Sequence, residues 1–260
     1  MRRKYIFFDI DHTLVSYVGE PHIPPETREA VRLLSKRGHV PAIATGRGEF
    51  LSRRVANELG IKLLVCANGA HIFNGDDELY AAWLPDSVVA SFLETAAKYP
   101  ETAVAIDERF IYTDNTKGDF DYYFNNQAGY PCVRPMKYLR RAIMCYIMLP
   151  HSELASADYG IFSSPPSGVK LEFMSTFTEA RVDGTTKWLG IQRAIRELGA
   201  DNEDIIAFGD GINDVEMLRG ASPGVAVGKS NEKAKEAAAF IAGDIDEGGI
   251  LTACRDLGLI

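Results

Sequence analysis

Four apolar residues, Tyr5-Ile6-Phe7-Phe8, run directly into Asp9-Ile10-Asp11-His12-Thr13. An aromatic and β-branched run of this length, placed after Arg2-Arg3-Lys4, predicts a buried strand. Two carboxylates at i and i+2 then stand where that strand ends, and in an open α/β sheet the carboxyl ends of the strands are where ligands bind. Two acids held together repel, so they need a cation, a shared proton or both. The pattern suits metal-assisted chemistry on an anionic substrate. A plainer reading makes Asp11 the N-cap of a following helix and Thr13 a turn residue.

The rhythm of the first 70 residues predicts a doubly wound α/β sheet. A helix starts at Pro24-Pro25-Glu26-Thr27 and continues to about Lys36, with Ala30, Val31, Leu33 and Leu34 on one face. Val40–Ala44 reads as a second buried strand, about Gly48 to Leu59 as a second helix, and Lys62–Ala67 as a third strand. Strands alternating with helices imply a mostly parallel, Rossmann-like sheet. Asn68-Gly69 and Asn74-Gly75 mark turns around a short hairpin.

From about Trp83 the texture changes to aromatic, β-rich segments at Ala103–Ile106, Phe110–Thr113, Ala142–Leu149 and Val169–Met174. Beyond Val182-Asp183-Gly184 the α/β rhythm returns. Helices are expected over Thr185–Leu198, Val215–Leu218 and Glu232–Ala239, and strands over Asp204–Phe208, Gly224–Val227 and Ile241-Ala242. The expected organisation is a discontinuous α/β core, 1–82 and 184–260, with an α+β domain of residues 83–183 inserted in its middle.

Bulk properties narrow the function. The 260 residues are 46% hydrophobic and 25% charged, as in an ordinary globular protein. A net charge of −8 argues against a general nucleic-acid binder, which needs a basic surface. An acidic protein that handles anions needs local cations or a metal. The four cysteines, Cys66, Cys132, Cys145 and Cys254, lack Cys-x-x-Cys spacing and fit a reducing cytoplasm. The apolar run before Asp9 is too short for a signal-peptide core, and no stretch is long enough for a membrane span.

Three more places in the split domain carry candidate chemistry. Thr45-Gly46-Arg47 offers a hydroxyl, backbone N–H groups and a helix N-terminus, which suits an anion; it is equally an N-cap turn. Lys187 falls in the first turn of a helix, where a cation opposes the macrodipole, yet a solvated surface lysine is the commoner explanation. Gly209-Asp210-Gly211-Ile212-Asn213-Asp214 puts two carboxylates and a carboxamide on one loop after a strand, as a metal site or a polar turn would.

Taken in order, Asp9-x-Asp11-x-Thr13, Thr45-Gly46-Arg47, Lys187 and Gly209-Asp210-x-x-Asn213-Asp214 resemble the four motifs of the haloacid dehalogenase (HAD) superfamily. The closest pattern is that of its Cof-type phosphatases, which carry a type IIB cap. Ala67-Asn68-Gly69-Ala70, Met217-Leu218 and Gly224-Val225-Ala226-Val227-Gly228 fit the same group, and the insert has the right size. Departures include His12 and Trp188, each where glycine is usual. The resemblance implies a Mg²⁺-dependent phosphatase acting on a small phosphorylated metabolite, such as a sugar phosphate or cofactor phosphate. Asp9 would be the nucleophile that forms an aspartyl-phosphate, and Asp11 the acid and base. Thr45, Gly46, Lys187 and Asn213 would hold the phosphate. Mg²⁺ would be bound by Asp9, Asp210, Asp214 and the Asp11 backbone carbonyl. A phosphomutase using the same intermediate, or a metabolite-binding protein without catalysis, are the alternatives. The insert would be a cap that selects the leaving group, with Arg47, Asp107, Arg109 and Glu172 as candidate selectors. Tyr112, Tyr122 and Tyr123 could join them, or simply pack in the core.

Overall fold

A computed structural model describes residues 2–115, 133–149, 151–154, 158–173 and 176–260. In chain order the elements are β1 (Tyr5–Phe8), α1 (Pro25–Lys36), β2 (Val40–Ala44), α2 (Glu49–Leu59), β3 (Leu63–Cys66), β4 (His71–Asn74) and β5 (Asp77–Ala81). There follow α3 (Asp86–Lys98), β6 (Ala103–Ile106), β7 (Ile111–Tyr112), β8 (Val133–Arg134), β9 (Met144–Ile147), a short α4 (His151–Leu154), β10 (Val169–Phe173) and β11 (Thr178–Val182). The chain continues through α5 (Lys187–Glu197), β12 (Ile205–Gly209), α6 (Val215–Gly220), β13 (Gly224–Val227), α7 (Glu232–Ala237), β14 (Phe240–Ala242) and α8 (Gly249–Asp256). These elements form two compact units, one of residues 1–47, 52–80 and 186–260, the other of residues 48–51 and 81–185.

The first unit is built on a sheet ordered β14-β13-β12-β1-β2-β3-β4-β5. From β14 to β3 the strands run parallel, and β4 turns back antiparallel to β3. This is the doubly wound α/β architecture that the strand–helix alternation predicts. β1 lies at its centre because both of its faces are apolar. Ile6 and Phe8 enter one core with Ile43, Ile206 and Phe208, while Tyr5 and Phe7 enter the other with Ala42, Ile205 and Ala207. Phe8 and Phe208 stack with ring centroids 4.8 Å apart. Burying each phenylalanine contributes about 1.5–3 kcal/mol. The chain winds outward from β1 in both directions, to β2 on one side and β12 on the other. That makes the ends of these three strands a topological switch point, where such sheets place ligands.

Several boundaries shift for local reasons. No helix follows Asp11, so it caps none; the segment instead folds back through a bridge between Asp11 and Val15 and another between Ser16 and His22. β3 stops at Cys66, one residue early, because Ala67 turns left-handed at φ 52°. The helix expected to reach Ala239 ends at Ala237, where Ala238 extends (ψ 146°) toward β14.

The second unit holds a sheet ordered β10-β11-β9-β6-β7-β8, antiparallel except for the β7–β8 pair. Helix α3, which sequence reading left unassigned, packs Val88, Val89, Phe92 and Ala96 against Ala103, Ala105, Cys145, Ile147 and Ala180 of the sheet. Among the described residues, Cys66, Cys145 and Cys254 are buried thiols outside any disulfide, and burial pushes the Cys254 thiol up to about 12. No helix of the described residues is long and apolar enough to cross a membrane.

His39 gives the first unit a pH dependence. Its ring is buried, and Nδ1 accepts a 3.1 Å hydrogen bond from the Lys4 N–H, so that nitrogen carries no proton. Burial holds the imidazole below its ordinary 6.5. The unfolded chain therefore takes up a proton before the folded one does, and stability present above pH 6.5 is lost as pH falls through the lowered folded value. In thermal unfolding from neutral to mildly acidic pH, wild type is expected to lose stability relative to His39→Asn, the contribution of carboxylates common to both proteins cancelling in the comparison. Equal slopes for the two proteins would contradict the assignment.

Candidate active site

The candidate nucleophile, metal- and phosphate-holding groups lie in the first unit, on loops after strands or at the start of a helix. Asp9 follows β1, and its N–H continues the ladder to the Phe208 carbonyl at 2.9 Å. Thr45 follows β2 and is fixed in the same way to the Val65 carbonyl. Asp210 follows β12. Lys187 is the first residue of α5, whose N-cap Thr186 accepts a side-chain hydrogen bond from the Leu189 N–H.

The surface reading of Lys187 is overturned, since the residue is only 1% exposed. Its Nζ lies 2.7 Å from Asp9 Oδ1 and 2.6 Å from Asp214 Oδ1. A cation at a helix N-terminus is unfavourable by itself; two carboxylates reverse the balance. Burial lowers the lysine's proton affinity, but Asp214 and Asp9 raise it further, and the net shift is upward.

Asp214 is fully buried, and its Oδ2 accepts the N–H groups of Asp210 at 2.9 Å and Gly211 at 2.8 Å. This tight loop explains Gly209, because a Cβ there would lie 2.6 Å from the Asp214 carboxylate carbon. Asp210 accepts a bond from the Thr13 hydroxyl at 3.2 Å. Carboxylate oxygens of Asp9, Asp210 and Asp214 all lie within 4.8 Å of one another.

This cluster carries more negative charge than its lysine can offset. Burial, with the charges of Asp214 and Asp11, raises the Asp9 carboxyl well above its usual range, although Lys187 opposes the shift. Burial and Asp214 push Asp210 up to about 6. An all-oxygen set of close carboxylates that resist ionising together matches a hard divalent cation such as Mg²⁺.

Asp11 sits in a different environment. Both its oxygens meet Arg47, at 3.0 Å from Nε and 2.5 Å from Nη2, and Oδ1 also accepts the Tyr17 hydroxyl proton. Burial would raise this carboxyl, but the Arg47 charge and hydrogen bonds, with Tyr17, outweigh it and hold it low. Arg47, a candidate selector on sequence grounds, is thus engaged with Asp11. Tyr17 escaped sequence reading because nothing local ties a tyrosine eight positions after Asp9 to this carboxylate. His12, exposed and left-handed at φ 57°, lies against the Tyr17 ring at 4.9 Å between centroids.

Asn213 donates from Nδ2 to Asn68 Oδ1 at 3.1 Å. The candidates in the second unit mostly do local structural work. Asp107 accepts from the Arg109 and Phe110 N–H groups and from the Tyr112 hydroxyl. Tyr112 is a core residue. Glu172 pairs with Arg181 at 2.5 Å, and Arg181, buried at 2% exposure, also binds Glu179 and the Thr185 carbonyl. Alternation along β11 would instead turn Glu179 and Arg181 toward solvent, and the strand is buried on both faces. Arg109 is exposed, and Tyr122 and Tyr123 lie outside the described residues.

A sequence model of the haloacid dehalogenase-like hydrolases matches residues 6–253. YkrA of Bacillus subtilis, named as a phosphatase, is 31% identical over 262 residues and aligns along the whole of both chains. YitU of the same organism, a 5-amino-6-(5-phospho-D-ribitylamino)uracil phosphatase, is 25% identical over 94% of each chain. The solved HAD subclass IIB sugar phosphatase BT4131 superposes with a TM-score of 0.83 at 29% identity, over 99% of this chain and 100% of that one. The fold and the family match define a phosphoryl-transfer hydrolase. The chain belongs to the haloacid dehalogenase-like hydrolases and is a phosphatase-class enzyme.

Removing the lysine charge should expose the strain in the acid cluster. Lys187→Met leaves two buried carboxylates facing each other and is expected to cost about 3–5 kcal/mol of stability in chelator. Urea unfolding measures it; a midpoint equal to that of wild type would contradict the buried ion-pair assignment.

Proposed function

We propose that the enzyme hydrolyses phosphate monoesters of small polar metabolites in two steps, through a phosphoryl group carried by Asp9. The observation that carries this reading is the opposite treatment of two aspartates two residues apart. Asp9 is buried against Lys187 beside further carboxylates, and Asp11 is clamped by Arg47 and Tyr17. One strand end thus offers a nucleophile and a separate proton carrier.

In the first step an Asp9 oxygen bonds to phosphorus as the bond to the leaving oxygen breaks, and Asp11 protonates that oxygen. In the second, water attacks phosphorus, gives its proton to Asp11 and releases Asp9. Arg47 and Tyr17 favour the ionised Asp11 that accepts the proton from water. Donation in the first step therefore requires Asp11 to gain a proton and loosen its hold on Arg47 as substrate enters. Lys187 offsets charge on the phosphoryl oxygens. Thr45 accepts the Arg47 N–H at its hydroxyl oxygen, which leaves its O–H to donate, beside Gly46 and Asn213. Asp9, Asp210 and Asp214, with the Asp11 carbonyl, would hold Mg²⁺, which supplies positive charge against the carboxylates and the phosphoryl group.

The relatives' range, a sugar phosphatase and a ribitylaminouracil phosphatase, supports a small, polar, hydroxyl-bearing leaving group. We assign its selection to the inserted segment, residues 83–183, acting as a cap, with Arg109 the exposed candidate; Asp107 and Glu172 are held by partners within that segment.

Turnover of a panel of sugar, polyol and cofactor phosphates should require Mg²⁺ and release free phosphate, not an isomeric ester. Asp11→Asn is expected to lower kcat by about 10²–10⁴ with a smaller change in KM. Asp9→Asn should abolish turnover. Undiminished hydrolysis in Asp9→Asn would overturn the assigned nucleophile.

A further inference from the structure

The turn after β3 is strained in a way the reaction above does not explain. Ala67 (φ 52°), Asn68 (φ 50°) and Gly69 (φ 88°) are three left-handed residues in a row, two of them not glycine. Such conformations persist only where the surroundings over-determine them, and they cluster at functional sites. The surroundings here are the site itself. The Ala67 N–H bonds the Arg47 carbonyl at 2.8 Å, and the Asn68 N–H bonds the Thr45 carbonyl at 3.0 Å. Gly69 packs so closely on the N-terminus of α5 that a Cβ would lie 2.1 Å from the Thr186 carbonyl oxygen. The Asn68 side chain, 3% exposed, accepts from Asn213 Nδ2. It also lies under Gly46, where a Cβ would stand 3.3 Å from Oδ1 and 3.4 Å from Nδ2.

One three-residue turn therefore touches the loop after β2, the start of the Lys187 helix and the loop after β12. These are the three segments that carry the proposed phosphate-holding groups. We infer that Asn68 is the positioning residue of the phosphate cradle. Its carboxamide sets the spacing between Gly46 and Asn213, so that both present donors to one phosphoryl group. This rests on the phosphatase reading above. The strain has a reason in this assignment, because left-handed backbone at Asn68 is what turns the carboxamide back between the two loops.

Asn68→Gly tests the side chain without penalising the backbone, since glycine accepts the left-handed conformation at no steric cost. It should remain folded, since relief of the left-handed strain offsets part of the lost buried hydrogen bond, and urea unfolding checks this. Binding of inorganic phosphate, titrated calorimetrically in the presence of Mg²⁺, is expected to weaken about tenfold or more. KM should rise more than kcat falls. Asn213→Ala should lose at least as much, since it removes a donor as well as the contact, and the double variant should lose less than the product of the two single losses, because the two residues share that contact. Unchanged phosphate affinity in Asn68→Gly, or losses that multiply in the double variant, would overturn the inference. A wild-type protein that binds phosphate but hydrolyses no ester would instead overturn the phosphatase reading, while the binding comparison still judges Asn68.

Discussion

The buried ion pairs of Lys187 with Asp9 and Asp214 are the constraint on which the site depends. Each partner comes from a different part of the chain: the end of β1, the first turn of α5 and the loop after β12. Burying these charges separately would cost several kcal/mol per ion. Together they lock the two sequence halves of the discontinuous unit at the carboxyl ends of its central strands. The same arrangement leaves the acid cluster short of positive charge, so a position suited to a divalent cation follows from how the fold buries its charges. Structure and chemistry share one interaction here.

The other half of the chemistry lies in the separation of Asp9 from Asp11. A two-residue spacing at a strand end sends one carboxylate toward Lys187 and lets the next turn toward Arg47. The first is raised by burial and like charge, the second held low by a guanidinium. Arg47 thereby links the loop after β2 to Asp11, while its carbonyl receives the Ala67 N–H. The loops after β1, β2, β3 and β12 are tied into a single body, which is how a site made of loops keeps the precision that phosphoryl transfer requires.

Much of the fold could be read from pattern because the cause was local. Tyr5–Phe8 is a continuous apolar run since both faces of β1 are covered, and Gly209-Asp210 marks a strand end because the tight turn admits no side chain at Gly209. Asp9, Asp210 and Asp214 announced themselves as acids at such ends, and the structure brings them together. Lys187 was ambiguous by itself: its burial depends on partners that lie 178 and 27 positions away in sequence. The Asn68–Asn213 contact was invisible for the same reason, while Tyr17, close to Asp11 in sequence, was missed because no periodicity links the two. Asn68-Gly69 was legible as a turn and as part of the family pattern, but not as a turn bearing on three loops. In the second unit, charged residues such as Asp107 and Glu172 looked functional because sequence shows the charge but not the N–H groups or the arginine that occupy it.

The central claim is that Asp9 carries the phosphoryl group during turnover. Rapid acid quench of the Mg²⁺-loaded enzyme with a hydrolysed ester, followed by peptide mass mapping, tests it directly. The expected result is one phosphoryl adduct on Asp9, labile to hydroxylamine and formed no more slowly than turnover. Hydrolysis that proceeds with the adduct on another residue, or with none on Asp9 in Asp11→Asn given p-nitrophenyl phosphate, whose leaving group needs no acid while adduct hydrolysis lacks its base, would contradict it.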